Sequence, residues 1–217
     1  MKERPILFNA DMVRAVLDGR KMQTRRVIKV QPHAGVRNSP FVKSGIEDGH
    51  GKELVCPFGE VGDRLWVRET WSVVSHAFDD DGLMIDYVPD RPAKAVNEKP
   101  FGRGYYSGHA IYAADGGFTW GDDDGCVDGR SCWKPSIHMP RWASRITLEI
   151  TGVRVERLHA ITLGDICKEL GCGLYDFRPA TYGFKVWEEL WQSIYGADSW
   201  QANPWVWVVE FKRVEVD

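Results

Sequence analysis

A chain of 217 residues with a net charge of −3 can form one large domain or two small ones, and its overall charge excludes a globally basic nucleic-acid binder. Ten tryptophans in an aromatic content of 12% supply large side chains for a core, or for stacking on flat ligands at an opening. The sequence shows neither an apolar leader nor a run of membrane-spanning length, so we expect a cytoplasmic protein without membrane contact.

The first predicted elements are a strand and a helix. Residues 5–8 form a short apolar run, and Asn9 is the predicted N-cap of the helix that follows. Gly19 suits the position just after that helix, where a left-handed backbone is inexpensive without a Cβ. The helix is predicted because its apolar residues recur on one face, namely Met12, Val13, Val16 and Leu17.

A basic segment comes next, and it holds the first candidate site residues. Lys21 and Thr24 lie in the turn before an extended run at 24–30, where a rigid scaffold can aim them at a pocket. Arg25 and Arg26 point to opposite faces of that run. We expect one of them, with Arg26 as the candidate, to reach a phosphate or base edge, and the other to be solvated. The segment fits either a local phosphate site or a solvated charged face.

One carboxylate lies on the apolar face of a predicted strand. Taken with a period of two, residues 64–74 place Glu69 on the face of Leu65, Val67 and Trp71. Burial of a lone carboxylate costs several kcal/mol, so an inward glutamate needs a partner or must keep its proton. Glu69 is therefore predicted to be either a paired structural group or a working acid or base, with a partner upstream in the basic segment.

Long irregular stretches separate the predicted strands. Residues 31–60 are rich in Gly, Pro and Ser, and the stretches at about 76–108 and 115–135 are also predicted as loops. A short strand at 110–113 lies between the last two. Loops of this length are usually functional or mobile.

The carboxyl-terminal half is more regular. Thr162 is predicted to cap a helix that runs through Leu170, and a second helix carries an apolar tryptophan stripe that we assign to the core. A last strand is predicted at 205–214. Five or six strands with few helices do not fit a doubly wound sheet. We therefore predict a single α+β domain over residues 1–217, a small mixed β-barrel of five to six strands with peripheral helices and long loop insertions.

No metal or cofactor is expected. The five cysteines are odd in number and match no zinc spacing, and cytosolic thiols usually stay reduced. The run Asp122-Asp123-Asp124-Gly125 resembles part of a calcium-binding loop but lacks the correctly spaced glutamate. We therefore predict a solvated turn. The sequence contains no glycine-rich loop for a nucleotide cofactor and no zinc deaminase signature.

Several motifs together resemble a known family. The run Gly19-x-Lys21-x-x-Thr24-x-Arg26 followed by an inward Glu69 is similar to the ASCH domain. Over nearly its whole length the chain also resembles the larger ASCH-type proteins of phages and prophages, through its segments 4–8, 62–69, 136–145 and 203–207. The resemblance implies a PUA-like β-barrel, an association with RNA, and the host cytoplasm as location if the protein is phage-encoded.

The resemblance also implies an activity. One branch of the ASCH family consists of small bacterial amidohydrolases that remove the acetyl group from N4-acetylcytidine, and their catalytic lysine, threonine and glutamate match Lys21, Thr24 and Glu69. This chain is much longer than those enzymes, which leaves its added loops free to reshape the pocket. Other members are ribonucleases or plain RNA binders. Three functions therefore remain open: hydrolysis of an acylated nucleobase, non-catalytic binding of RNA or a modified base, and RNA cleavage.

The matched residues suit amide hydrolysis. A lysine desolvated at a barrel mouth can lose its proton near neutral pH and accept that of Thr24, which then acts as the nucleophile. Glu69 is expected to donate a proton to the departing nitrogen or to orient Lys21. The alternative is structural: Lys21 and Glu69 form a buried ion pair that fixes the turn, and Thr24 is only a strand residue.

A second group of candidate residues follows at 136–145. Trp142 is a candidate for stacking on a base, and Arg141 for contacting a phosphate, with His138 and Arg145 beside them. Packing within the loop explains each of them equally well, and His138 fits a structural histidine slightly better than a proton shuttle. The expected partner is a nucleoside, a modified base or RNA.

Overall fold

The structure is a computed structural model that describes residues 1–79, 81–120 and 131–215. The described residues form both helices and strands, which confirms the predicted α+β class. In chain order they are β1 (Glu3–Leu7), α1 (Ala10–Leu17), β2 (Gln23–Val27), β3 (Val36–Asn38), β4 (Ile46–Asp48), β5 (Arg64–Arg68), β6 (Trp71–Val74), β7 (His76–Phe78), β8 (Met84–Asp86), β9 (Lys94–Phe101), β10 (Gly104–Tyr112), β11 (Thr147–Arg157), α2 (Leu163–Leu170), α3 (Ala180–Tyr195), α4 (Ala197–Gln201) and β12 (Trp205–Val214).

The described strands form four sheets. The largest has five strands in the order β1-β5-β11-β12-β2, and a second has the order β6-β10-β9. Two further sheets are the pairs β3-β4 and β7-β8. The described part of the chain thus holds twelve strands, so the expected number of five to six is wrong.

The extra strands lie in segments predicted to be loops. β3 and β4 fall within 31–60, and β7, β8, β9 and most of β10 fall within 76–108. The strand β9 was missed because its sequence, KAVNEKPF, contains a proline and several exposed charges. It is held by antiparallel pairing with β10, in which Tyr105 lies opposite Pro100 and His109 opposite Ala95. A strand that is stabilised mainly by its partner strand shows little periodic pattern in its own sequence.

The strand predicted at 64–74 is in fact two strands. β5 ends at Arg68 and β6 begins at Trp71, and these two strands belong to different sheets. At the break the backbone N–H of Trp71 donates to the carbonyl of Lys134 at 3.2 Å. Glu69 therefore lies in a connection between strands rather than inside one.

The chain divides into two compact units. The first unit comprises Met1–Arg4, Ala15–Leu65 and Leu148–Asp217, and the second unit comprises Pro5–Arg14 and Trp66–Thr147. The expected single domain with insertions stays a prediction. The predicted turn at Asp122–Gly125, and much of the loop expected at 115–135, lie outside the described residues.

Local signals placed α1 and α2 correctly. Asn9 caps α1, since its Oδ1 accepts a hydrogen bond from the backbone N–H of Met12 at 2.9 Å, and Gly19 follows with φ of 70°. Thr162 caps α2 through its hydroxyl, which accepts from the N–H of Asp165 at 3.1 Å. Gly171 ends α2 in the left-handed conformation, as expected.

Each unit has its own apolar cluster. In the first unit α2 and α3 pack on β12, and Trp187 and Trp191 are buried there, which confirms their assignment to the core. Among its described residues the second unit has two such clusters, and the larger includes Trp71, Tyr112 and Met139, all fully buried. Within the described part of the chain, no helix has both the length and the apolar character that a membrane crossing requires.

Candidate functional site

Lys21 lies between α1 and β2 in the first unit and is 3% exposed. Its ammonium donates to the backbone carbonyl of Glu169 at 2.6 Å and to Glu169 Oε2 at 3.0 Å. Burial lowers the pKa of Lys21 from its ordinary value, and the Glu169 carboxylate opposes that shift. The lysine is thus a desolvated cation held by one carboxylate of α2.

Arg25 belongs to the same buried network. Its guanidinium lies 3.3 Å from Glu169 Oε1, 3.1 Å from Glu156 Oε2 and 3.5 Å from Asp165 Oδ2. Arg25 is 2% exposed, so the expectation that one of the two strand arginines would be solvated is wrong for it. Arg26, on the opposite side of the strand, is half-buried. Within the basic segment Lys21 and Arg25 are therefore buried, whereas Arg20 and Lys29 are exposed.

A third cation, Arg154, belongs to this network and is more exposed than the other two. Arg154 on β11 forms ion pairs with Glu156, Asp165 and Glu210. The cluster thereby places four carboxylates against the three cations Lys21, Arg25 and Arg154. With these seven groups ionised, the four carboxylates outnumber the three cations by one.

Thr24 lies within β2 and is 2% exposed. It pairs with Val209 of β12, and Arg26 pairs with Trp207 two positions away. Because side chains alternate along a strand, Thr24 and Arg26 share one face of β2 and Arg25 occupies the other. The prediction that the two arginines face opposite sides is consistent with this register.

Glu69 lies in the second unit and is 1% exposed, which confirms its predicted burial. Its partner is Arg145, whose Nε and Nη2 donate to the two carboxylate oxygens at 3.0 and 2.9 Å. The expected upstream partner is therefore wrong. Burial raises the pKa of Glu69, and the Arg145 guanidinium opposes this rise.

Arg145 links Glu69 to two further groups. It makes a second two-pronged contact with Asp115, at 2.7 and 3.0 Å. Its guanidinium also lies 3.9 Å from the ring centroid of Tyr112, whose hydroxyl donates to the carbonyl of Ala143. The donors of Arg145 face these two carboxylates, and its expected role in ligand binding stays a prediction.

The other candidates of the 136–145 segment have different surroundings. His138 is exposed at the end of a single 3-10 turn. Arg141 donates to the hydroxyl of Thr147 at 3.3 Å. Trp142 donates through Nε1 to the carbonyl of Pro100 at 3.2 Å and meets the ring of Trp71 edge to face at 5.4 Å. Trp142 is half-buried, so these contacts cover part of its surface.

A small basic group surrounds Arg141 in the second unit. Burial lowers the pKa of Lys94, and the positive charges of Arg141 and Lys99 lower it further. The Lys94 ammonium donates to the carbonyl of Ser144 at 2.9 Å. These three cations, which we call the positive patch, are thus near one another on a chain that is acidic overall.

Sequence reasoning missed the acidic partners. Glu169 and Asp165 lie four residues apart on α2, which places both on one face of that helix, and this spacing was a usable signal. Asp115 gave no such signal, because its pairing with Arg145 depends on the tertiary fold. Among the described residues no cluster of three or more His, Cys, Asp or Glu side chains could hold a metal ion.

Comparison with known proteins adds no family assignment. No family model matches the chain, and neither a curated protein nor a solved structure gives a significant match.

Proposed function

We propose that the protein is a nucleobase- or RNA-binding protein of the ASCH type, with a PUA-like β-barrel, that hydrolyses an N-acyl amide such as that of N4-acetylcytidine. The single observation that carries the proposal is the state of Lys21. It is a buried lysine whose pKa is lowered by desolvation, three residues before a buried threonine in the spacing of the ASCH motif. Perturbed groups of this kind are common at functional sites.

The proposed chemistry assigns one role to each residue. The neutral amine of Lys21 accepts the hydroxyl proton of Thr24, and the threonine oxygen attacks the acyl carbon. The resemblance gives Glu69 the role of donating a proton to the departing nitrogen; burial raises the pKa of this carboxyl group, and its contact with Arg145 opposes that rise. Water then hydrolyses the acyl ester on Thr24, so that one acylated base and one water give the free base and a carboxylic acid.

A second candidate function is binding without turnover. It is favoured by the observation that Lys21 and Glu69 each already hold a close ionic partner, Glu169 and Arg145 respectively. An ion pair keeps the lysine charged and the carboxylate ionised, which weakens the one as a base and the other as an acid. A ribonuclease, the third function implied by the family, has no supporting observation of its own.

Product analysis with N4-acetylcytidine tests the proposal. We expect the wild-type protein to release cytidine and acetate, and Lys21→Ala, Thr24→Val and Glu69→Gln to reduce the rate by at least about 100-fold, the usual contribution of a general acid or base. Lys29→Ala is the matched control, because Lys29 is an exposed lysine of the same segment.

Other results of the same assay would contradict the proposed hydrolysis. Absence of cytidine at micromolar wild-type protein rejects hydrolysis of this substrate. Retention of the intact nucleoside in a dialysis measurement then supports binding without turnover, and shortened RNA in a parallel incubation supports a ribonuclease. Circular dichroism of each variant separates lost chemistry from lost folding.

A further inference from the structure

The second unit contains a cavity of about 510 Å³ with aromatic walls. Side chains from β6, from β7 and from two connections line it, and they include Phe78, Tyr87, Phe118 and Trp120. A volume of this size accommodates a nucleotide-sized ligand. We propose that this aromatic cavity binds a planar heteroaromatic ring that carries an anionic group, as a nucleoside monophosphate does.

Three rings of the aromatic cavity contact one another, one pair edge to face and one pair tilted. Tyr87 and Phe118 have centroids 5.9 Å apart at 82°, and Phe118 and Trp120 lie 4.7 Å apart at 57°. Trp133 supports Trp120 from outside the cavity at 5.3 Å and 87°. Tyr87 is buried, whereas Phe78, Phe118 and Trp120 are half-buried. Half-buried rings held in this manner present ring surface for stacking on a flat ligand.

The wall is fixed before any ligand arrives. Arg91 donates to the carbonyl of Gly117 at 2.7 Å and lies 5.1 Å from the ring centroid of Phe118. Arg91 is itself paired with Asp90, which also accepts a hydrogen bond from the hydroxyl of Tyr87 at 2.9 Å. The ring positions are thus tied to an ionic contact, which reduces the entropy lost on binding.

The charges around the aromatic cavity select the kind of ligand. The basic residues among the described lining residues are His76 and Lys134, and none of the described lining residues is acidic. The Lys134 ammonium lies 5.2 Å from the ring centroid of Tyr106, which does not line the cavity. An aromatic box of this kind could also attract a quaternary ammonium, but the Lys134 ammonium would repel that cation. Lys134 instead suits a phosphate or carboxylate, while the hydroxyl-bearing Ser75 and Thr119 suit the polar edge of the ring or its sugar.

This inference deepens the proposed function and rests on it for the choice of a nucleobase. The cavity itself is independent of Lys21, Thr24 and Glu69, which do not line it. It assigns the binding of a base to residues that no sequence motif singled out.

Equilibrium dialysis of the full chain with cytidine 5′-monophosphate tests the inference. We expect Trp120→Ala to weaken binding by about tenfold or more, since loss of one base-stacking aromatic has effects of this order, and Trp120→Phe to retain most of the affinity. Lys134→Ala should weaken binding of the monophosphate but not of cytidine. Trp200→Ala is the matched control, because Trp200 is a half-buried tryptophan of the first unit that packs on His159.

Cys132 supplies a second measurement that needs no variant of the wall. It is an exposed free thiol that lines the cavity. Cytidine 5′-monophosphate should slow its modification by a thiol reagent, with the reacting cysteine identified by mass spectrometry and by Cys132→Ser. An unchanged modification rate, or equal affinity of the wild-type and Trp120→Ala proteins, overturns the inference.

The outcomes also separate the two proposals. If deacetylation depends on Lys21 but monophosphate binding is the same in the wild-type and Trp120→Ala proteins, ligand binding by the aromatic cavity is rejected and the amidohydrolase is not. Binding that depends on Trp120, in a wild-type protein that never deacetylates, rejects the amidohydrolase alone.

Discussion

At the scale of single residues, two opposing effects act on the pKa of Glu69, namely its burial and its pairing with Arg145. Burial disfavours its charge, and the two-pronged contact with the guanidinium favours it. Because burial is the larger effect, the pKa of Glu69 is raised in the folded protein. A carboxyl group poised in this way can hold or release a proton closer to neutrality than an exposed glutamate can.

The raised pKa predicts how stability depends on pH. Between the unfolded pKa, near 4.5, and the raised folded pKa, the native state binds more protons at Glu69 than the unfolded state does. The free energy of unfolding contributed by this group is therefore fully present below pH 4.5 and declines as pH rises through the folded pKa. We expect the wild-type protein to lose stability relative to Glu69→Gln over that window, as measured by urea unfolding from pH 4 to 8.

The opposite slope would contradict this prediction. If the wild-type protein gained stability over Glu69→Gln as pH rose, attraction by Arg145 would outweigh burial and the folded pKa would lie below 4.5. Glu98→Gln is a suitable control, because Glu98 is an exposed glutamate of the same unit.

At the scale of elements, features that depend on nearby residues were predicted well, and features that depend on distant residues were predicted poorly. The caps of α1 and α2 follow from Asn9, Thr162 and the glycines at their ends, because a cap is decided within four residues. The inward direction of Glu69 followed from a two-residue period. Its partner Arg145 lies 76 residues further along the chain, and no spacing within one segment reveals a contact of that kind.

The break between β5 and β6 shows the same limit. Residues 64–74 alternate correctly for a strand, but the chain changes from one sheet to another at Glu69 and Thr70. The change is stabilised by contacts with distant segments, including the hydrogen bond from Ala113 N–H to the carbonyl of Thr70 at 3.0 Å. Periodicity thus gave the burial of Glu69 correctly and its secondary structure incorrectly.

Gly171 offers an element-scale prediction, since it ends the helix that carries Glu169. Its φ is +70°, and an added Cβ would lie 2.9 Å from Ala15 Cβ and 3.0 Å from Arg20 Cβ. We expect Gly171→Ala to lower the free energy of unfolding by about 2 kcal/mol or more, because left-handed strain of about 1 to 2 kcal/mol adds to the steric conflict. Urea unfolding measures the loss.

Gly19→Ala is the matched control for that variant. Gly19 follows a helix with the same φ of +70°, but nothing lies within 4 Å of its added Cβ. It should therefore show the left-handed strain alone. Equal losses in the two variants would mean that the contacts with Ala15 and Arg20 relax without cost.

At the scale of the whole molecule, the net charge of −3 decides how RNA could be bound. An acidic chain does not steer RNA through its overall field, and the buried cations Lys21 and Arg25 are already matched by carboxylates. Any phosphate contact must therefore come from a local group of cations. Lys94, Lys99 and Arg141 are the candidate group: burial lowers the pKa of Lys94, and the nearby charges of Arg141 and Lys99 lower it further.

This argument predicts a weak but salt-dependent affinity for short single-stranded RNA. Each phosphate contact contributes about −0.7 to the slope of log affinity against log salt, so three cations can give a slope of at most about −2. Arg141→Ala and Lys99→Ala should each make the slope shallower by up to about 0.7, whereas Lys52→Ala, an exposed lysine of the first unit, should leave it unchanged. Fluorescence anisotropy between about 50 and 200 mM salt measures it. An affinity that does not change with salt, or one that these two variants leave unaltered, would show that the positive patch does not bind phosphate and that any RNA is held by uncharged contacts such as base stacking.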